Sequence, residues 1–280
     1  MNLRVETKRL LRHYDFSPKK RLGQNFLIDS AVLEELISYA SISKQDIVLE
    51  IGAGLGFLTE LLSRKCEKVI AVEIDTKLAK ALGERLGDLD NVNLIEGDLL
   101  KVSVPPFDKV VSTPPYHISS PLLFWLLEIK FDCAVLTFQK EFAERLVASV
   151  GSRDYGRLTV NAYYRAEVEL LRPLSRTAFY PQPEVDSSII RINPREEPPF
   201  SVDDEEIFFK LIQTLFTQKN KKVRNAITPF LQTWGFRGKE AKKLADFLPF
   251  HERRVRKLAP EDFGSLANIL IREIIAAPQT

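Results

Sequence analysis

The residues of this chain best suited to chemistry stand where four apolar runs end. The first run gives way to Glu50-Ile51-Gly52-Ala53-Gly54-Leu55-Gly56. Glycines at a strand-to-helix turn let the backbone approach a ligand closely. The second run ends about twenty residues later at Glu73, where a carboxylate can accept hydrogen bonds from both hydroxyls of a ribose. After the third comes Glu96-Gly97-Asp98-Leu99, and Asp98 can either accept from an adenine amine or cap its own turn. The fourth ends in Ser112-Thr113-Pro114-Pro115-Tyr116. Two prolines force a rigid, extended corner that lacks N–H donors, so its carbonyls are available to an amino group. Tyr116 adds an aromatic face on which a base can stack.

A glycine turn alone is a weak signal. The spacing here is G-x-G-x-G rather than the dinucleotide G-x-G-x-x-G, and a carboxylate, Glu50, opens it. An acid in that place suits a cation better than a pyrophosphate. S-adenosylmethionine carries a sulfonium and an amino group and no phosphate, and it matches Glu50, Glu73 and Asp98 together. A nicotinamide oxidoreductase is disfavoured by the same spacing and by the Pro-Pro-Tyr corner. The two cysteines, Cys66 and Cys133, form no CxxC unit and have no His/Cys cluster around them, so no metal is expected. Cys133, within an apolar run, is expected to be a buried thiol in a reducing, cytoplasmic compartment.

These residues need a scaffold. Ile47–Ile51, Lys68–Glu73, Asn91–Ile95, Lys109–Ser112 and Ala134–Phe138 read as strands separated by helical patterns, which implies βαβ units and a parallel sheet. Two further β-branched or aromatic runs, Leu158–Leu171 and Ser187–Ile192, read as the antiparallel end of that sheet. Asn193-Pro194-Arg195-Glu196-Glu197-Pro198-Pro199 is a linker by composition. Beyond it Phe208, Leu211, Ile212 and Leu215, and then Leu266, Ile269, Leu270 and Ile274, fall on helical faces. The expected organisation is an α/β catalytic domain over 1–196, with a basic arm at 1–24, and a small helical domain over 197–280. A chain of 280 residues is long enough for both and needs no disulfide or metal staple. No uncharged apolar run reaches the roughly 18–20 residues that span a bilayer.

The net charge of +2 hides a pattern. Residues 1–24 carry +5, residues 25–199 carry −7 and residues 200–280 carry +4. Basic ends around an acidic centre point to a polyanionic partner. The candidate phosphate contacts are Lys19, Lys20 and Arg21; Lys219, Lys221, Lys222 and Arg224; and His251, Arg253, Arg254, Arg256 and Lys257.

Taken together, these segments resemble the small-subunit rRNA adenine dimethyltransferase family, which includes the kasugamycin-resistance methyltransferases and their archaeal and eukaryotic counterparts. The matching pieces are Lys20-Arg21-Leu22-Gly23-Gln24-Asn25-Phe26-Leu27, the Glu50–Gly56 turn, Val72-Glu73-Ile74-Asp75, Gly97-Asp98 and Pro115-Tyr116 through Ser119-Ser120-Pro121-Leu122. They continue with Phe179-Tyr180-Pro181-Gln182-Pro183-Glu184-Val185-Asp186-Ser187 and Lys219–Asn225. The resemblance implies a Rossmann-like class I methyltransferase with a mostly parallel seven-stranded sheet and a small C-terminal helical domain. It implies a monomer that uses S-adenosylmethionine to dimethylate two adjacent adenines near the 3′ end of small-subunit rRNA. Asn25, Leu27, Glu50, Gly52, Gly54, Ile74 and Thr113 would line the cofactor pocket, with Glu73 on the ribose and Asp98 on the adenine. Tyr116 and Phe179 would sandwich the target adenine, and Thr113, Pro114 and Pro115 would present acceptors to its amine. The family usually carries Asn where this chain has Thr113, and Leu or Ile where it has Pro114. Two other readings remain open: a non-catalytic nucleic-acid-binding relative, and an adenine methyltransferase acting on 23S rRNA or DNA.

Overall fold

A computed structural model describes residues 2–276, with side chains up to residue 273, so the Ile274 expectation lies outside the described residues. The chain divides into two compact units, residues 1–143 with 167–194 and residues 144–166 with 195–280.

The first unit is built on a seven-stranded sheet and a two-stranded ribbon. In chain order the strands are β1 (Phe26–Leu27), β2 (Ile47–Ile51), β3 (Lys68–Glu73), β4 (Val92–Glu96), β5 (Lys109–Ser112), β6 (Cys133–Gln139), β7 (Ala166–Leu174), β8 (Phe179–Tyr180) and β9 (Ser187–Pro194). The large sheet runs β4-β3-β2-β5-β6-β9-β7. Strands β2 to β6 pair in parallel, and β9 lies antiparallel on β6. Val48, Leu49, Val69, Ile70, Ala71, Val110, Val111, Ala134, Val135 and Leu136 are at most 1% exposed, so the centre of the sheet is covered on both faces and its strands read as unbroken apolar runs. Strand order reverses at β2, with β3 on one side and β5 on the other, and ligands of open α/β sheets bind at the strand ends there.

Two expectations change in this unit. The basic arm is partly helical: Leu3–His13 is a helix, capped by Asn2, that buries Leu3, Thr7, Leu10 and Leu11 along one stripe, an element the sequence reading did not assign. Cys133 opens β6 and is only half-buried, whereas Cys66 is buried and its thiol is pushed up to about 11 by desolvation.

The second unit is helical, and its core holds Phe208, Leu211, Ile212 and Leu215 together with Leu266 and Leu270. Its later boundary, after Pro194, falls two residues before the one read from the linker. It also claims residues 144–166, which the sequence assigned to the α/β domain. The expected strand from Leu158 is half helix: Arg157–Arg165 is α-helical and β7 begins only at Ala166. Gly156 and Thr159 start that helix, and Leu158, Thr159, Val160, Asn161, Ala162 and Tyr164 are all buried. Leu158, Val160, Ala162 and Tyr164 alternate with Thr159, Asn161, Tyr163 and Arg165, which is the two-residue period of a strand. No helix among the described residues is long and apolar enough to cross a membrane.

Candidate active site

At the switch point, three strand ends converge. The Ser112 hydroxyl accepts from the Ile51 N–H at 3.2 Å and donates to the Ile51 carbonyl, locking the end of β5 to the end of β2. The Gly52 N–H continues to the Val72 carbonyl at 2.8 Å, tying the glycine turn to β3. Gly52 stands at φ +74°, and a Cβ there would lie 3.1 Å from Pro115 Cδ, so glycine lets the turn and the Pro-Pro corner close on one another. Gly56, at φ +78°, starts the helix Phe57–Ser63, and a Cβ on it would come within 2.3 Å of Leu82 Cδ1. Gly56→Ala is therefore expected to cost about 2–4 kcal/mol, from left-handed strain and overpacking together. Chemical denaturation of the purified variant checks this, and an unchanged midpoint would show that the turn is loose.

Glu73 is buried at the edge of a cavity beside this turn. Its Oε2 accepts from the Gly54 N–H at 2.8 Å and its Oε1 from the Asp75 N–H at 2.9 Å, so both oxygens are fixed while lone pairs remain for a ligand. Burial raises its carboxyl above the ordinary range, and the backbone N–H bonds oppose that rise. Glu50 is 3% exposed and accepts from the Thr59 hydroxyl at 2.6 Å. Burial pushes its carboxyl up to about 8, with the neighbouring Glu73 adding to the rise.

The cavity is open to solvent on one side and is lined by Asn25, Leu27, Glu50, Gly52, Gly54, Glu73, Ile74, Thr113 and Pro115 among others. Eight of the nine expected cofactor residues thus meet in one place. Asp98 is not among the lining residues. Its carboxylate accepts from the Leu100 N–H at 3.1 Å and pairs with Lys101 at 3.4 Å, capping its turn. The lining includes two carboxylates and no Lys or Arg, so it fits a cationic, phosphate-free nucleoside such as S-adenosylmethionine.

A second cavity shares Gly23, Gln24 and Asn25 with the first and is lined further by Tyr116, Gln139, Pro181 and Pro183. The Tyr116 phenol bonds to the hydroxyl of Ser187, a fully buried residue, and desolvation pushes it up to about 12, so it stays protonated. The expected sandwich is not formed. Tyr116 and Phe179 meet edge-to-face, with centroids 6.4 Å apart and planes at 76°, and Phe179 is 2% exposed. Phe179 lies in β8, in register with Leu27 of β1, and this pairing holds its ring in the core. Pro114 is likewise buried, leaving Thr113 and Pro115 as the parts of the corner that face the first cavity.

A model of the ribosomal RNA adenine dimethylase family matches residues 15–271. This chain belongs to that family. A probable ribosomal RNA small subunit methyltransferase A from Methanosarcina acetivorans is 44% identical over 250 residues, 88% of this chain and 91% of the relative. Among solved structures, a dimethyladenosine transferase from Plasmodium falciparum matches with a TM-score of 0.76 at 32% identity, over 88% of this chain and 97% of that one. A 23S rRNA methyltransferase matches with a TM-score of 0.64 at 30% identity, over 86% and 98% of the two chains. The α/β fold with a mostly parallel seven-stranded sheet is the scaffold expected for an enzyme of this family.

The basic residues are more constrained than the sequence suggested. Lys19 donates to Asp75 at 2.6 Å and Gln24 to the same oxygen at 3.1 Å. Asp75 resists burial through these bonds, stays below the ordinary carboxylate range, and also caps the helix Thr76–Leu86. Lys19 is thus an anchor, while Lys20 and Arg21 are exposed. Lys219 is bonded to the Arg153 carbonyl, Lys222 and Arg224 share Glu252, Arg253 pairs with Asp262, and Arg254 donates to the Asn220 carbonyl. Segment 219–224 is stitched to 251–256 by backbone bonds, including Val223 N–H to the Arg253 carbonyl at 2.9 Å. Lys221 remains exposed. Ser187 and Asp75 were not assigned roles from sequence; Asp75 was legible as a helix cap two residues after Glu73.

Proposed function

We propose that this enzyme transfers methyl groups from S-adenosylmethionine to the exocyclic amine of adenine, and that its substrate is two adjacent adenines near the 3′ end of small-subunit rRNA. The observation that carries the reading is the pair of adjoining cavities that share Gly23, Gln24 and Asn25: one acidic and lined by Glu50, Glu73, Thr113 and Pro115, the other walled by Tyr116, the next residue along the chain. When bound, the cofactor supplies a methyl group activated by a cationic sulfur.

The protein's part is positioning and electrostatics. Glu73 holds the ribose hydroxyls and Glu50 faces the cationic end. An adenine amine is a poor nucleophile because its lone pair is delocalised into the ring. The Thr113 hydroxyl and a backbone carbonyl of the corner accept hydrogen bonds from its N–H groups and bias the nitrogen toward a tetrahedral, nucleophilic form. As the nitrogen–methyl bond forms the methyl–sulfur bond breaks, the sulfur leaves as a neutral thioether, and the proton displaced from the nitrogen passes to water. Tyr116 stacks the extruded base, which offsets the few kcal/mol spent on unstacking it. Holding donor and acceptor in line supplies most of the remaining acceleration. The Thr113 hydroxyl can rotate to donate, whereas an Asn carboxamide oxygen only accepts. Thr113→Asn is therefore expected to raise kcat, by up to about tenfold for a gain of roughly one hydrogen bond. A steady-state methylation assay checks this, and a fall in kcat would show that Thr113 is matched to Pro114.

Glu50 gives the cofactor affinity a pH dependence. In the folded protein its carboxyl keeps its proton up to about pH 8, against 4.5 when unfolded. Its contribution to stability is thus fully present below pH 4.5 and is lost as pH rises towards 8. A bound cation favours the carboxylate, so cofactor affinity rises with pH up to about 8 and binding releases a proton. Calorimetry in buffers of different ionisation enthalpy checks this, and Glu50→Gln should flatten the profile.

The functional reading is tested by incubating the enzyme and labelled S-adenosylmethionine separately with undermethylated small ribosomal subunits, large subunits and DNA. Label in small-subunit rRNA is expected. Label only in 23S rRNA or DNA selects another substrate, and no label on any of them rejects catalysis.

A further inference from the structure

We propose that residues 234–247 form an RNA-docking face, on which Trp234 and Phe247 stack unpaired bases while Arg237, Lys239, Lys242 and Lys243 hold the phosphates. The inference rests on the reading of the enzyme as RNA-directed and adds a contact surface within the second unit.

The local backbone is built to present these side chains. The helix Thr228–Thr233 ends at Trp234, and the chain turns through Gly235 at φ +89° and Gly238 at φ +52°. The Phe236 N–H bonds to the Leu231 carbonyl at 3.2 Å and the Phe236 ring turns inward, 8% exposed. Trp234 turns outward, 40% exposed, and is braced by the Phe230 ring at 6.5 Å. The next helix, Gly238–Phe247, buries Ala241, Leu244 and Ala245. Lys239, Lys243 and Phe247 are spaced four residues apart and form a row on its exposed side, with Lys242 beside them. Phe247 is 69% exposed. Each of these rings leaves apolar surface in water and offers a face suited to a nucleobase.

The cations of this face differ from those of 219–224 and 251–254. No ion pair or side-chain hydrogen bond holds Arg237, Lys239, Lys242 or Lys243 among the described residues. One carboxylate, Glu240, lies among them, and the nearby Asp246 stands 3.8 Å from Arg224. Four unpaired cations beside two exposed aromatics are complementary to a single-stranded polyanion with stackable bases. The basic segments noticed first in the sequence are largely neutralised within the fold, and this face is not.

Two paired variants test the proposal: Trp234→Ala with Phe247→Ala, and Lys239→Gln with Lys243→Gln. Filter binding to undermethylated small subunits is measured across a salt series, with cofactor affinity and thermal midpoint as controls. Each pair is expected to weaken subunit binding about tenfold or more. The glutamine pair should also flatten the log affinity against log salt slope by about 1–2, while the aromatic pair leaves the slope unchanged. Cofactor affinity should stay at the wild-type value. Phe247→Ala alone serves if the Trp234 variant is unstable. Unchanged binding in both pairs overturns the proposal. Weakened binding with an unchanged salt slope in the glutamine pair also overturns it, because the face would then meet ribosomal protein. Failure of the wild type to methylate the subunits would instead reject the functional reading, and the binding data would still decide this face.

Discussion

Glu73→Ala is expected to weaken S-adenosylmethionine binding by about 10²–10⁴-fold. On the proposed reading the carboxylate at the end of β3 accepts from the ribose hydroxyls, and two hydrogen bonds to a charged group are worth about 1.5–3 kcal/mol each. The cost goes beyond the ligand. Its oxygens also satisfy the N–H groups of Gly54 and Asp75, at 2.8 and 2.9 Å, and alanine leaves both orphaned beside the glycine turn. The thermal midpoint of the apoprotein should therefore fall as well. Glu73→Gln keeps one amide oxygen as an acceptor and should retain part of both properties. Calorimetric titration gives the affinity and calorimetric scanning the stability. Near-wild-type affinity in the alanine variant would remove the ribose from this cavity.

Tyr116→Ala should lower kcat/KM for rRNA by about 10–100-fold while leaving cofactor affinity near its wild-type value. The magnitude follows from about 1–3 kcal/mol of stacking lost for one base. Tyr116 lines the second cavity, and not the one closed by Glu73, which separates the two readouts. Tyr116→Phe keeps the ring and removes only the bond to Ser187, so its loss should be several-fold smaller. Phe179→Ala should behave differently. Its ring is a core residue in register with Leu27, which lines the cofactor cavity, so stability, cofactor affinity and methylation should fall together. The expected destabilisation is about 3–5 kcal/mol. A Phe179→Ala protein that is stable and binds cofactor normally would restore this residue to the base pocket.

Most of the catalytic scaffold was legible because its strands are buried on both faces. Ile47–Ile51, Lys68–Glu73 and Lys109–Ser112 are short apolar runs, and the residues that follow each run mark its end. The strand-end logic also placed Glu50, Gly52, Glu73 and Thr113 around one cavity. What failed was information carried by distant partners. The helix Arg157–Arg165 reads as a strand because Leu158, Val160, Ala162 and Tyr164 alternate with more polar residues, and packing in the helical core overrides that local pattern. The prolines around Phe179 signal a loop, but a two-residue ladder with β1, some 150 residues away in the chain, draws the ring into the core. Lys222 and Arg224 read as free cations until Glu252 is brought against them. Lys19 reads as a phosphate contact until Asp75 is seen to accept from it.

The mass of the adenines in small-subunit rRNA after complete reaction tests the account most directly. Undermethylated subunits are incubated with enzyme and S-adenosylmethionine, and the 3′-terminal rRNA fragment is digested to nucleosides and sequenced by mass spectrometry. The account expects two adjacent adenines, each carrying two methyl groups on the exocyclic nitrogen. Methylation of a ring nitrogen, a ribose hydroxyl or an adenine elsewhere would contradict the placement of the amine at the Thr113–Pro115 corner.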